Sequence, residues 1–155
     1  MAKRRSAQRG KPPPKCKAIL LCDHTIVEAV TGKISIIGIF DNWFLPQFPR
    51  PIRPFTCFLQ MTDGVGKYAV SVEVHDLQAD QILAQARITE VAFPERVSKV
   101  NLMIPVPPLV LRHAGNYDFV VLADGQEIDR QQFQAVQVPG GPPHATNPPH
   151  EPEEH

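Results

Sequence analysis

From Ala114 the chain reads Ala-Gly-Asn-Tyr-Asp-Phe-Val-Val-Leu-Ala-Asp-Gly-Gln-Glu-Ile, two strand-like runs joined by Asp124-Gly125. Aspartate and glycine tolerate the positive φ that a tight hairpin turn demands, so this stretch predicts the last hairpin of an antiparallel β-sandwich. Within it, Tyr117, Phe119, Val121 and Ala123 alternate with Asp118, Val120, Leu122 and Asp124. That run is apolar on most of both faces, the mark of a central strand.

The same period of two recurs along the chain. Tyr68, Val70, Val72 and Val74 alternate with Ala69, Ser71, Glu73 and His75, the pattern of a strand with one wet face. Phe55, Cys57, Leu59 and Met61 do the same, and Asp63-Gly64-Val65-Gly66 between the two runs predicts that they pair as a hairpin. Lys33 to Leu45 is longer and apolar on both sides, which predicts a strand that crosses the core or switches sheets, with Gly38 at a bulge. Residues 17–23, 82–91, 97–104 and 128–138 bring the total to about eight strands. Residues 78–92 also admit a short amphipathic helix, but Ile88 to Phe93 turns β-branched and alternating, which favours strand. The expected fold is all-β: one antiparallel sandwich, immunoglobulin-like or C2-like in architecture, over residues 17–138.

Both flanks differ in composition. Residues 1–17 hold seven Lys or Arg and no acid, and residues 139–155 hold Glu151, Glu153 and Glu154 with no Lys or Arg. Neither flank has the apolar content to offset chain entropy, so residues 1–16 and 139–155 are expected to be disordered tails. The zero formal net charge therefore hides a mildly acidic domain between tails of opposite sign.

Several function classes are disfavoured. No apolar run approaches the roughly 20 residues of a membrane helix. Pro12-Pro13-Pro14 stands where a secretion signal would need an apolar stretch, so none is read. Cys16, Cys22 and Cys57 are odd in number and lack a CxxC pair, which argues against a disulfide framework and for a reducing cytoplasm. Phosphate-cradling glycine loops, a G-x-S-x-G elbow and paired catalytic carboxylates are not found. The expectation is a protein without enzymatic activity or cofactor. The basic N-terminal segment allows at most weak, nonspecific nucleic-acid contact, because it carries no aromatic residue for base stacking.

Three constellations invite chemistry. Cys22-Asp23-His24 could hold a metal or small ligand, or serve a hydrolase as a thiol-imidazole pair. In a strand, however, Asp23 points away from the other two, and no second Cys/His pair stands at zinc spacing. The preferred reading is a buried Cys22 ending a strand, with Asp23 and His24 in the turn after it. His150 and His155 are five apart with Pro152 between them, which breaks the helix an HExxH zinc site requires. The loop aspartates Asp63, Asp76, Asp80, Asp124 and Asp129 show no D-x-D spacing for Ca²⁺, and turn chemistry accounts for them. No metal site is expected.

The most suggestive segment is Leu45 to Phe55, in which four prolines interleave with Arg50, Arg53, Phe48 and Ile52. Prolines favour a stiff extended shape that loses little entropy on docking. The leading expectation is a protein-protein interaction module that binds its partner through this loop, with Arg50 and Arg53 supplying charge and Phe48 and Ile52 apolar anchors. Replacing Phe48 and Arg50 with Ala is then expected to abolish binding without lowering Tm. The alternative is a proline-stiffened crossover with Phe48 and Ile52 tucked onto the core.

Cys22-Asp23-His24, then Gly32-Lys33-Ile34-Ser35-Ile36-Ile37-Gly38-Ile39-Phe40-Asp41, then Ala114 to Phe119 with Asp124-Gly125, together resemble a family of small bacterial proteins known as a domain of unknown function. The resemblance covers residues 18–138. It implies a bacterial β-sandwich and transfers no functional residue.

Overall fold

The computed structural model describes residues 11–140, and within them all regular structure is strand. Eleven strands follow in order: β1 (Lys15–Val27), β2 (Ile34–Phe40), β3 (Asn42–Leu45), β4 (Arg50–Ile52), β5 (Phe55–Thr62), β6 (Gly66–Asp76), β7 (Gln81–Phe93), β8 (Val100–Val106), β9 (Leu109–Leu111), β10 (Gly115–Ala123) and β11 (Gln126–Gln137). They form a four-stranded sheet, β2-β1-β5-β8, a five-stranded sheet, β3-β11-β10-β6-β7, and a two-stranded ribbon, β4-β9. The two larger sheets share one core. Cys57, Leu59, Met61, Ile104 and Val106 of the first and Val70, Val72, Val74, Phe119 and Val121 of the second are all buried in it. Burying such side chains supplies roughly 1.5–3 kcal/mol each, the main force holding the sheets together.

The Asp124-Gly125 turn forms as its residues dictate. Ala123 pairs with Gln126, and both turn residues have positive φ, 49° and 78°, as a two-residue type I′ turn requires. Asp124 Oδ1 also accepts the Ala69 amide at 2.8 Å, which ties the turn to the neighbouring strand β6. β10 is central, flanked by β6 and β11. Residues 81–93 are strand rather than helix.

The long run from Lys33 does switch sheets. It breaks at Asp41 into β2, paired with β1, and β3, paired with β11. Gly38 is no bulge, because the β1–β2 register is the same on either side of it. It has a φ of 70°, and a Cβ there would overlap the Asp23 carboxylate, so glycine is needed for both conformation and space.

Four further expectations are corrected. The strands number eleven in three sheets rather than about eight, and the pairing is not wholly antiparallel, since β3 and β11 are parallel. β5 and β6 do not pair. The turn at residues 63–66 carries the chain from one sheet to the other, with Phe93 packed where Gly64 leaves no room for a side chain. Cys22 does not end its strand. β1 runs on through Asp23 and His24 to Val27 because β2 continues to pair with it after β5 has stopped, and the turn falls at residues 28–33. Finally, residues 11–16 of the expected basic tail have defined contacts. Lys15 and Cys16 begin β1, and Tyr68 Oη donates to the Pro12 carbonyl at 2.8 Å. The remainder of the expected tails, residues 1–10 and 141–155, lies outside the described residues.

Candidate functional site

Where β2 bends into β3, the chain opens a groove of about 600 Å³ against the proline-rich segment that follows. Its floor is aromatic. Phe40 and Trp43 meet edge to face at 4.6 Å between ring centres, Trp43 meets Phe55 at 5.2 Å, and Phe133 of β11 closes on Trp43 from below at 4.4 Å. Such contacts fix ring orientation and add to the burial energy. Around the rim stand Ile39, 58% exposed, and Phe44, 52% exposed, with Asp23, Arg50 and Arg53. Among the described residues no carboxylate lies within ion-pair distance of either arginine. Pro46, Pro51 and Pro54 line the opposite wall.

The four residues singled out in the loop divide by environment. Arg50 and Arg53 are exposed at the groove. Ile52 is buried and Phe48 packs partly buried against the core, so both side chains hold the segment down. The segment is also less of a loop than its prolines suggest, since Arg50, Pro51 and Ile52 pair with Leu111, Val110 and Leu109.

The structure separates the members of Cys22-Asp23-His24. Cys22 is fully buried and its thiol donates to the Thr56 carbonyl at 3.5 Å, whereas Asp23 and His24 are exposed. Burial, and then the nearby Asp23 charge, push the Cys22 pKa up, which keeps the thiol protonated and poor as nucleophile or metal ligand. Burial likewise raises Cys16, to about 11, and Cys57 further. Among the described residues no three His, Cys, Asp or Glu side chains converge as a metal site would need. The loop aspartates act in turns: Asp63, Asp80 and Asp124 all adopt positive φ, at 61°, 52° and 49°.

A polar constellation that was not anticipated lies beside the groove. Asp76, at the end of β6 and 1% exposed, accepts the amides of Gln78 and Ala79 at 3.0 and 3.1 Å. Both its oxygens also lie 2.8 Å from His113 Nε2, while His113 Nδ1 is 2.9 Å from the Ala114 carbonyl. An acceptor at each ring nitrogen favours the protonated form of His113, which donates from both. The Ala114 hydrogen bond, and with it the Asp76 carboxylate, lifts its pKa above the ordinary histidine value against the opposing pull of desolvation. A general base needs a free ring nitrogen in reach of substrate, and His113 has none, so the pair is structural. His113 stacks on Tyr117 at 5.2 Å, and Tyr117 Oη donates back to the His113 carbonyl at 2.7 Å. Tyr117 then stacks on Phe133 at 5.4 Å, joining the pair to the groove floor. The only trace of this in sequence is His113-Ala114-Gly115-Asn116-Tyr117, a glycine at φ 138° that lets a strand-opening tyrosine turn back on the chain before it.

Two lysines of the basic N-terminal stretch are engaged by the domain itself. Lys11 lies 4.2 Å over the Tyr68 ring and 3.5 Å from Asp124, and Lys15 is 3.4 Å from Asp63. No helix in the described residues is long and apolar enough to cross a membrane. A search of curated proteins finds no match. A family model does match, under the description "Family of unknown function (DUF6941)", over residues 17–136, which spans β1 to β11 and includes the groove and the His113 corner. The chain belongs to that family.

Proposed function

We propose that this protein is a nonenzymatic interaction module of the cytoplasm, built as an immunoglobulin-like sandwich and binding an extended, acidic segment of a partner protein in the groove between β2–β3 and residues 46–54. The strand orders support the architecture. β5 beside β8 in one sheet, and β11-β10-β6-β7 in the other, follow the order of B and E against G, F, C and C′ in immunoglobulin domains. The Tyr117 hydroxyl bonded to the carbonyl four residues upstream matches the tyrosine corner of that fold. Three unpaired cysteines, two of them buried, suit a reducing compartment.

The observation that carries the binding reading is the groove's composition: an aromatic floor, a proline wall and two exposed arginines that have no carboxylate partner among the described residues. Proline-stiffened, aromatic-lined surfaces lose little entropy when an extended peptide docks, and arginine presents a rigid fork to carboxylates. The test is capture from a native lysate by the full chain and by the Arg50→Glu, Arg53→Glu double variant, followed by titration of any protein retained. A partner held by the native chain and bound about tenfold or more weakly by the variant at equal Tm supports the groove. Equal binding by both overturns it.

A further inference from the structure

The β1–β2 hairpin outruns its sheet. β5 leaves β1 after the Cys22–Thr56 pair, so beyond that point β1 and β2 form a two-stranded arm. β2 is the edge strand of its sheet. Natural edge strands are guarded by charges, prolines or bulges, yet β2 reads Ile-Ser-Ile-Ile-Gly-Ile-Phe and has none of these. Ile26, Val27, Val30, Ile37 and Ile39 on and around the arm are all exposed, Val30 at 93%. A bare apolar edge of this kind is a template for another strand.

We infer that its occupant is a second copy of this chain, paired antiparallel along β2 about a two-fold axis at Ile37. The register follows from the backbone. Glu28 N donates to Lys33 O at 2.9 Å, so by alternation Lys33, Ser35 and Ile37 turn their peptide groups toward β1, and Ile34 and Ile36 turn theirs outward. An axis at Ile37 sets the outward-facing Ile36 opposite Gly38 and the outward-facing Ile34 opposite Phe40 of the second copy. One residue beyond each end of the strand, it also sets Lys33 opposite Asp41, once on each side of the axis. Both side chains are exposed. An axis at Ile36 would instead place Lys33 against Ile39, and one at Gly38 would place it against Trp43. Charge complementarity therefore selects the Ile37 register, and symmetry makes the contact self-complementary and closed. Ile37 meets its own copy at the centre, and the exposed Ile26, Ile37 and Ile39 of both arms merge into one apolar face.

Sedimentation of the full chain over a concentration series tests this. The native protein is expected to shift toward twice its 17.3 kDa mass. Lys33→Glu alone and Asp41→Lys alone are each expected to weaken association about tenfold or more, and the Lys33→Glu, Asp41→Lys double variant to regain it. Because both positions are exposed, unchanged thermal melts will show that each variant is folded. A native chain that stays monomeric overturns the inference and leaves the edge to a strand of another protein. A dimer indifferent to the single changes, or one not regained by the double, overturns it as well. The Arg50→Glu, Arg53→Glu variant is expected to dimerise like the native protein, which separates this contact from the groove.

Discussion

The His113 corner and the groove share one aromatic stack, yet they handle polarity in opposite ways. At the corner each polar group has its partner inside the chain: Asp76 receives the His113 ring and two amides, and Tyr117 donates to a carbonyl. At the groove, two guanidiniums and two large apolar side chains face solvent. A buried polar network that is fully satisfied rigidifies a fold, whereas an exposed cluster of apolar and charged groups does nothing for stability until something covers it. The difference teaches which polar residues to assign to structure and which to binding, a distinction that residue type alone does not make.

The comparison breaks most visibly at Asp76. Asp76→Ala removes a buried carboxylate and strands the His113 ring nitrogen and two turn amides, with an expected loss of about 3 kcal/mol in urea unfolding. Next is Phe48→Ala, expected to cost about 2 kcal/mol because the ring packs on the core. That reverses the expectation from sequence that its removal would leave Tm unchanged. Tyr117→Phe keeps the stack and loses only the hydroxyl bond, for about 1 kcal/mol.

The corner should also respond to pH. The folded His113 pKa is raised, so its stabilisation is fully present below the unfolded value of about 6.5 and is lost as pH rises through the higher folded value. Unfolding midpoints of the native chain should fall across that window relative to those of His113→Gln, and parallel pH profiles would contradict the raised His113 pKa. The smallest effect is expected at the groove, where Phe44→Ser should change stability by no more than about 0.5 kcal/mol while weakening any groove-bound partner. A large drop in Tm would mean that Phe44 belongs to the core.

Much of the architecture was legible because period-two alternation is a local signal. The valines of β6, the two-faced β10 and the Asp124-Gly125 turn each specify themselves within a dozen residues. The sheet switch between β2 and β3 was also readable, since a run too long and too apolar for one strand must leave its sheet. Pairing was not readable in the same way. β5 and β6 are alternating runs joined by a short glycine-rich turn, and nothing local distinguishes a hairpin from a crossing between sheets; Phe93, packed over Gly64, closes off the turn from well beyond both strands. The parallel β3–β11 pair and the three-residue β4–β9 ribbon join distant, proline-interrupted segments that carry no periodicity of their own. The Asp76–His113 pair spans 37 residues, so Asp76 reads as one turn acid among five. At the groove, Arg50 and Arg53 were singled out in the sequence, and both stand exposed there. Phe44 and Ile39 were not, and Asp23 was singled out only with Cys22 and His24, because only the bend at Asp41 and the extension of β1 bring these residues to the same rim.

Trp43 is the single tryptophan of the chain, and it lies in the groove floor between Phe40, Phe55 and Phe133. Its indole emission is therefore a built-in optical reporter positioned where a bound segment would exclude water. A blue shift on addition of a candidate peptide would record occupancy directly, without a dye or a fusion. The same band, followed during denaturation, would report the meeting of the two sheets, so one spectrum distinguishes filling of the groove from loss of the fold.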